Sequence, residues 1–374
     1  MPGTLTAENC RLDDLRAVLE QPTVAADYPH ATEVVDGVLG YPAAALADTP
    51  PTELAAALAD GPGIVIVRDA FTPETVHRAS RAFHELIAEQ HASGAQGGDH
   101  FARPGANDRI WNALGKLAAQ DPETFVEYYA NETLALVSAA WLGPGYQVTS
   151  QVNVVNPGGA AQVGHRDYHL GFLTPGQIEQ YPDHVHRLSP VLTLQAGVAH
   201  SDMPVQTGPT CYLPHSQKYP AGYLATVRPE FRAYFDEHHV QPPMRLGDAV
   251  FFNPAVIHGA GTNRARDVKR MANLLQVSSA FGRAMEGVDR ERLCNAVYPA
   301  LLARAGHDPE GAGYALACAA EGYPFPTNLD SDPPLDGLAP PSQADLVRRA
   351  LAERWSADAL AAELAAQTAR RSTR

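Results

Sequence analysis

The segment from Gln147 to Asp167 constrains the fold more than any other part of this 374-residue chain. Its first half, QVTSQVNVV, has the period of two that is typical of a β-strand, and the turn Pro157-Gly158-Gly159 ends it. We predict a second short strand that carries His165 and Asp167. Because residues two apart on a strand point to the same face, this imidazole and carboxylate would be directed at one point and could bind a divalent metal.

A third metal-binding side chain is predicted downstream, in the segment GDAVFFNPAVIHGAGTN, where His258 follows a buried strand. A further strand begins about a dozen residues later, at Arg270. Two imidazoles and one carboxylate, with coordination positions left open, are the ligand set of non-haem iron oxygenases. An arginine placed beyond the metal would bind a carboxylate through two parallel hydrogen bonds. A rival cluster of His200, Asp202 and His258 has the same spacing and stays open at this point.

The chain resembles the phytanoyl-CoA dioxygenase family of Fe(II)/2-oxoglutarate oxygenases from about Leu54 to Phe281. Four segments carry the resemblance in the family's order: DGPGIVIVRDAFTPETV, GHRDYH, TGPTCYLPHSQK, and GDAVFFNPAVIHGAGTN with KRMAN. The third segment departs from the family's usual wording at Thr207-Gly208 and from Pro214 to Gln217. The family's co-substrate arginine usually stands where this chain has Lys269, so either Lys269 or the adjacent Arg270 would fill that role.

The resemblance implies an α+β protein built on a double-stranded β-helix, the jelly-roll or cupin-like barrel, although the strands alone would also allow a sandwich. We predict three segments: an N-terminal helical extension (1–53), the oxygenase core with packed helices (54–284) and a C-terminal helical extension (285–374). Within the first segment, only one short helix and a Pro- and Ala-rich connection are expected.

The resemblance also implies the chemistry. His165, Asp167 and His258 would bind Fe(II), and Arg270 would bind 2-oxoglutarate with help from Gln151 and Asn153. With O₂, the reaction would hydroxylate a C–H bond of a small-molecule metabolite or natural-product intermediate, although desaturation or cyclisation would use the same centre. Two other classes compete: a zinc hydrolase on the same barrel and a non-catalytic small-molecule-binding member of the fold. The residues expected to contact substrate are these: Tyr168, His169, Phe172 and Trp111.

Composition limits the partners and the compartment. A formal net charge of −14 disfavours nucleic acid, because phosphate binding needs a basic surface. The N-terminus lacks the pattern of a secretory signal, and the chain has no apolar run of the ~18 residues that a membrane helix needs. Its 4 cysteines are widely spaced, as expected for free thiols in the cytoplasm. An Ala-rich apolar helix face near residues 346–355 must pack on the barrel or on a second subunit, so a homodimer through the C-terminal helices is predicted.

Overall fold

Ten strands form in the part of the chain that the computed structural model describes, which comprises residues 3–94, 105–335 and 337–372. The strands and their bounds are β1 Glu33–Val35, β2 Val38–Pro42, β3 Ile64–Arg68, β4 Asn107–Ile110, β5 Gln147–Val155, β6 Thr193–Ala199, β7 Thr210–Leu213, β8 Ala249–Phe252, β9 Ile257–Ala260 and β10 Arg270–Ser278.

Helices surround these strands and form most of the two ends of the chain. Their bounds are α1 Leu12–Leu19, α2 Ala43–Leu46, α3 Pro51–Ala59, α4 Pro73–Ala92, α5 Ala113–Gln120, α6 Pro122–Tyr129, α7 Glu132–Leu142, α8 Pro175–Ile178, α9 Asp183–Val191, α10 Gly222–Ala225, α11 Pro229–His238, α12 Arg290–Ala305, α13 Pro309–Ala319, α14 Gln343–Glu353 and α15 Ala357–Arg371. α4 begins as its sequence indicates, because the Thr72 side chain accepts a hydrogen bond from the Thr75 N–H and Pro73 occupies the first helical position.

Eight strands form one sheet in the order β1-β2-β3-β8-β6-β10-β5-β4. All pairs are antiparallel except β2 with β3, which is parallel. The long central strand β10 pairs with β5 along one side and with β6 along the other. Because directly paired residues point to the same face, this register fixes which side chains share a surface. Arg270, Gln276, Gln151, Asn153 and Gln195 all lie on one face, which we call the inner face.

A second, two-stranded sheet of β7 and β9 packs over the inner face. Tyr212 of β7 stacks edge-on against Phe252 of β8, with ring centroids 5.2 Å apart, and both belong to one buried cluster with Ile66 and Val250 of the large sheet. The architecture is therefore the expected α+β fold with two facing sheets, although the strands within the described ranges do not close into a continuous barrel.

The N-terminal segment departs from the expectation of helix alone. Val38 to Pro42, expected to be a connection, forms β2, which pairs in parallel with β3 and adds itself and β1 to the edge of the large sheet. Val38, Leu39 and Tyr41 are buried there. Hydrogen bonds to β3 and burial of these apolar side chains stabilise the strand. Both depend on a distant part of the chain, so a short sequence window does not reveal them.

The C-terminal helices pack against the core segment rather than projecting from it. Val347, Ala350 and Leu364 are fully buried and belong to the same large hydrophobic cluster as Val65 and Phe83 of the core segment. The final helical stretch is two helices, because Arg354 adopts a left-handed conformation with φ of 53° between α14 and α15. Among the described helices, none is both long and apolar enough to cross a bilayer.

Candidate metal and co-substrate centre

Three side chains from two distant parts of the chain converge beneath the small sheet. The His165 Nε2 atom lies 3.7 Å from Asp167 Oδ1, and the His258 Nε2 atom lies 3.5 Å from Asp167 Oδ2. One ligand atom from each of the three residues lies within 4.8 Å of the others, and no second such cluster occurs in the described ranges. The spacing leaves room for one divalent ion between them.

Backbone hydrogen bonds hold the two histidines together. His165 and His258 form an antiparallel bridge in which each backbone N–H donates to the other's carbonyl oxygen, at 2.9 and 3.0 Å. The predicted second strand is thus reduced to this single bridge residue, because the chain turns away after it. Asp167 instead donates its N–H to the Pro254 carbonyl oxygen at 3.1 Å, and its carboxylate still reaches the same point.

The tautomers of both histidines suit metal binding. The Nδ1 atom of His165 lies 2.8 Å from the Val163 carbonyl oxygen, and the Nδ1 atom of His258 lies 2.9 Å from the Val256 carbonyl oxygen. A carbonyl oxygen only accepts, so Nδ1 carries the proton in each ring and the Nε2 lone pair is free. Burial lowers the pKa of His165, which keeps that ring neutral and able to bind a cation.

Gln195 fixes the carboxylate ligand. This residue of β6 donates a hydrogen bond from Nε2 to Asp167 Oδ2 at 2.6 Å. Burial by itself would raise the pKa of Asp167, but His165, His258 and this hydrogen bond outweigh burial and hold the pKa below its ordinary value. Asp167 is therefore an anion at neutral pH, with one oxygen oriented by the protein.

Arg166 anchors the loop between the two neighbouring ligands. Its guanidinium is buried, donates to the carbonyl oxygens of Ser216 and Tyr219, and lies 5.3 Å from the centre of the Tyr223 ring. Burial lowers the pKa of Arg166 to about 10, so the side chain remains charged. A buried cation held by carbonyl dipoles restrains the backbone on either side of it.

Arg270 lies on the inner face at the start of β10 and is buried, whereas the neighbouring Lys269 is exposed. Its Nη1 atom makes two long hydrogen bonds, each of 3.4 Å, to the carbonyl oxygens of Thr207 and Gly261. Burial lowers the pKa of Arg270 to about 10. No carboxylate of the described residues forms an ion pair with it, so a buried charge lacks a counter-ion. A ligand carboxylate would supply one.

Gln151 and Asn153 lie on the same inner face as Arg270, paired across the sheet with Leu274 and Ala272. Asn153 Oδ1 accepts a hydrogen bond from Asn107 Nδ2 at 3.0 Å, and Gln151 Nε2 lies 3.3 Å from the Met285 sulfur atom. Ala272, two residues from Arg270 on this face, is paired with Ala199 of β6, and Leu274 is paired with Gly197.

The four residues expected to contact substrate differ in placement. Tyr168 is buried beside Asp167, in a strained conformation with φ of 44°. His169 is half-buried, and its backbone N–H donates a hydrogen bond to Ser189 Oγ. Phe172 lies on a short 3₁₀ turn and is 54% exposed. Trp111 follows β4 and lies under the Arg109 guanidinium at 4.8 Å. Of the four, Tyr168 is the nearest in sequence to the proposed metal ligands.

The rival cluster does not form. His200 lies on the opposite face of the sheet, where Ser80 Oγ and Tyr128 Oη lie 2.8 Å from its two ring nitrogens. Asp202 accepts a hydrogen bond from the Leu246 backbone N–H instead. The alternation of β6 explains the difference, because Ala199 points inward and the next residue therefore points outward.

Gln195 and Arg166 were not identified from the sequence. Gln195 left a detectable signal, since it is a long polar residue in the largely apolar strand TLQAGVA. Arg166 left none, because it stands between two ligands without a motif of its own.

The facing sheets, the cluster of two histidines and one aspartate, and the buried unpaired arginine together define an Fe(II)/2-oxoglutarate-dependent oxygenase. Residues 59–272 match the phytanoyl-CoA dioxygenase (PhyH) family, and the chain belongs to that family. The sequence resemblance is thereby confirmed. Fe(II), 2-oxoglutarate and O₂ are the cofactor and co-substrates of this class. The chain has no significant match among curated protein sequences.

Three solved structures are similar to this chain at low sequence identity and low TM-score. The non-heme alpha-ketoglutarate-dependent epimerase SnoN from nogalamycin biosynthesis is 20% identical, with 62% of this chain and 85% of that chain covered and a TM-score of 0.41. The carbocyclase SnoK from the same biosynthesis is 18% identical, with coverages of 74% and 87% and a TM-score of 0.43. EvdMO1 is 17% identical, with coverages of 62% and 50% and a TM-score of 0.44.

Proposed function

We propose that this protein hydroxylates a C–H bond of a small molecule, with His165, Asp167 and His258 as the three ligands of Fe(II). The observation that carries the proposal is the convergence of these side chains at distances suited to one ion, with both Nε2 atoms free. Iron held there would supply the activation of O₂ and the oxidising power for C–H cleavage, with 2-oxoglutarate as the co-substrate.

Arg270 is proposed to bind the distal carboxylate of 2-oxoglutarate. Its charge is buried and, within the described ranges, meets only two weak carbonyl acceptors, so a carboxylate would relieve the cost of burial. Gln151 and Asn153, on the same face, are proposed to hydrogen-bond the co-substrate. Ala272 and Ala199, beside Arg270 on that face, are proposed to leave space for the carbon chain of 2-oxoglutarate.

The chain's own residues prepare the centre before substrate arrives. The carbonyl oxygens of Val163 and Val256 set the tautomers of the two histidines, and Gln195 sets the orientation of the carboxylate. Such outer contacts raise metal affinity and keep the ligand geometry fixed through turnover. Tyr168 closes the site beside Asp167, and we propose it as a substrate contact together with the more distant His169, Phe172 and Trp111.

The decisive experiment combines metal analysis with succinate release. Anaerobically purified protein is loaded with Fe(II), and 2-oxoglutarate consumption and succinate formation are measured with and without O₂. We expect O₂-dependent succinate from wild type and at least ~100-fold less from Asp167→Ala, because a metal ligand is lost. Asp202→Ala, from the other His-x-Asp pair, is the matched control and should retain activity.

The two competing functions give different outcomes in the same experiment. A zinc hydrolase would bind zinc in preference to iron and ignore 2-oxoglutarate. A binding protein would retain 2-oxoglutarate without turnover. Hydroxylation is separated from desaturation or cyclisation by the product mass, which rises by one oxygen atom only in the first case.

Three coarser expectations accompany the function. We propose a cytoplasmic location, supported by cysteines that are all free and buried. The segment boundaries 1–53, 54–284 and 285–374 remain a prediction, with one hydrophobic cluster shared by all three. A homodimer through the C-terminal helices also remains a prediction. The apolar face of the C-terminal helices is covered within the chain, so a dimer would have to form through their outward surfaces. Light scattering on the purified protein would test whether these surfaces associate.

A further inference from the structure

The oxygen atom of the Gln195 amide has no partner among the described residues, although it is buried. Its orientation is not ambiguous. The carboxylate of Asp167 only accepts hydrogen bonds, so the amide nitrogen must face Asp167 and the oxygen must face away from it. A buried acceptor without a donor is unfavourable, and such a group is retained where a ligand satisfies it.

Gln276 stands directly opposite Gln195 on the inner face, because the two residues are paired across β10 and β6. Its Oε1 atom is also buried and accepts no hydrogen bond from the part of the chain that is described. Two carboxamides therefore stand side by side, next to the metal ligands, with acceptor atoms unused.

Glu286 adds a carboxylate to the same side of the site. Its Oε1 atom accepts a hydrogen bond from the Asn112 backbone N–H at 2.7 Å, whereas its Oε2 atom is buried and receives none from the described residues. The preceding residue, Met285, contacts Gln151 on the inner face.

Burial raises the pKa of Glu286, whereas the hydrogen bond from the Asn112 N–H and the charges of Lys116 and Arg109 lower it. Arg109 itself lies over the Trp111 ring. We name Gln195, Gln276 and Glu286 together the acceptor wall.

The acceptor wall is well separated from the proposed 2-oxoglutarate contact. Arg270 and Gln276 share the inner face of β10 and are six residues apart, which is about 20 Å along a strand. A keto acid that runs from Arg270 to the metal would end beside Gln195, but the 2-oxoglutarate dianion carries no hydrogen-bond donor and so cannot satisfy the acceptors of the wall. The ligand that satisfies the wall must be the other reactant.

We propose that the substrate presents at least two hydrogen-bond donors to the acceptor wall, and that it is a neutral or cationic small molecule carrying hydroxyl or amino groups. This inference rests on the proposed function, since it assigns the wall to the substrate of that reaction. A carboxylate or an anionic thioester would place like charge against Glu286 and acceptors against acceptors, which is unfavourable. The net charge of −14 acts in the same direction.

Four probes on one ring skeleton test the chemistry directly. They are trans-4-aminocyclohexanol, cyclohexane-1,4-diol, cyclohexane-1,4-dione and cyclohexane-1,4-dicarboxylate. The protein is loaded with Mn(II) and 2-oxoglutarate, and the paramagnetic relaxation of probe protons is measured, with the Zn(II) form as the diamagnetic reference. The aminoalcohol and the diol should bind near the metal at least about tenfold more tightly than the dione and the dicarboxylate. Equal binding of all four, binding of none, or preference for the dicarboxylate would overturn the proposal.

A variant separates the amino group from the hydroxyl group. Glu286→Gln removes a charge but keeps the shape of the wall, so it should abolish any preference for the aminoalcohol over the diol. Glu89→Gln, which changes an exposed carboxylate on α4, is the matched control. An unchanged preference in Glu286→Gln would remove Glu286 from the wall. If the preference for donor probes is lost in Glu89→Gln as well, the effect is one of net charge and the proposal fails.

The test remains readable if the proposed function itself fails. Mn(II) and 2-oxoglutarate binding are first measured by titration. Failure of the protein to bind Mn(II) or 2-oxoglutarate counts against the oxygenase assignment. Saturation transfer from protein protons to the four probes needs no metal, and it still reports whether donor-bearing probes are preferred.

Discussion

The Gln195 amide and the Asp167 carboxylate lie 2.6 Å apart across the interior of the protein, joined by one hydrogen bond from Nε2 to Oδ2. The two residues come from different elements, β6 and the loop after the His165 bridge, so the contact exists only in the folded chain. It leaves Oδ1, the other oxygen of Asp167, 3.7 Å from His165 Nε2. Gln195 thus restricts the carboxylate to an orientation in which it serves the shared metal position.

Gln195→Leu is predicted to weaken metal binding while leaving the fold intact. Leucine has a similar volume, but it cannot orient the carboxylate, and loss of such an outer contact typically costs 10–100-fold in metal affinity. We therefore expect the Kd for Mn(II), measured by titration, to rise at least about tenfold. Gln276→Leu is the matched control, because Gln276 is paired with Gln195 on the inner face and contacts none of the three metal-binding side chains. An equal loss in both variants would show that the effect is one of packing.

Arg270→Gln is predicted to raise the KM for 2-oxoglutarate by about 10–100-fold, since a charge-assisted contact of roughly 1.5–3 kcal/mol is lost. Metal affinity should stay unchanged, because Arg270 contacts none of the three ligands. Lys269→Gln is the control for the neighbouring cation, which is exposed. A large effect of Lys269→Gln with a normal Arg270→Gln would transfer the carboxylate contact to Lys269. Initial-rate succinate measurements at varied 2-oxoglutarate decide between them.

Local sequence patterns predicted the elements that depend on neighbouring residues. The alternation in QVTSQVNVV predicted β5, and Thr72 with Pro73 predicted the start of α4, because pleating and capping are properties of short segments. The three proposed metal-binding side chains were predicted because their motifs lie in the order of a known family. Each strand, cap or motif is itself contained within a few consecutive residues.

Features set by strand pairing could not be predicted in this way. The positions of Gln195 and Gln276 opposite each other depend on the register between β6 and β10, which pair residues about 80 positions apart. The incorporation of β2 into the sheet depends on a parallel partner, β3, more than 20 residues away. The loss of the expected strand after His165 depends on where Asp167 finds a backbone acceptor, which is Pro254.

Gly222→Ala is predicted to destabilise the loop that carries two metal ligands. A Cβ atom at this position would overlap the Arg166 guanidinium, which is buried and cannot move into solvent. We expect a loss of about 1–3 kcal/mol in unfolding free energy, the usual range for forced overpacking. Gly313→Ala, in α13, is the control, since nothing lies within 4 Å of its added Cβ atom and alanine favours helix. Denaturant unfolding of both variants tests the prediction, and a stable Gly222→Ala would contradict it.

His200→Gln is predicted to reduce the loss of unfolding free energy that occurs as the pH falls below about 6.5. Burial lowers the pKa of His200 to about 3 from an ordinary value of 6.5, so between these values the unfolded chain binds a proton that the folded protein does not. Stability therefore falls as the pH decreases through this window, on the order of 1 kcal/mol per pH unit for one such group, and is unaffected above it. His200→Gln removes this group, although burial also lowers the pKa of His165, His169 and His186.

The measurement is the unfolding free energy of wild type and variant at several pH values from 7.5 to 4.5. At pH 7.5, His200→Gln should be less stable, because the hydrogen bonds with Ser80 and Tyr128 are disturbed. The gap should narrow as the pH falls, since only the wild type loses the contribution of His200. His238→Gln, at an exposed position of α11, should run parallel to wild type. A gap that stays constant between pH 6.5 and 4.5 would show that His200 titrates normally in the folded protein.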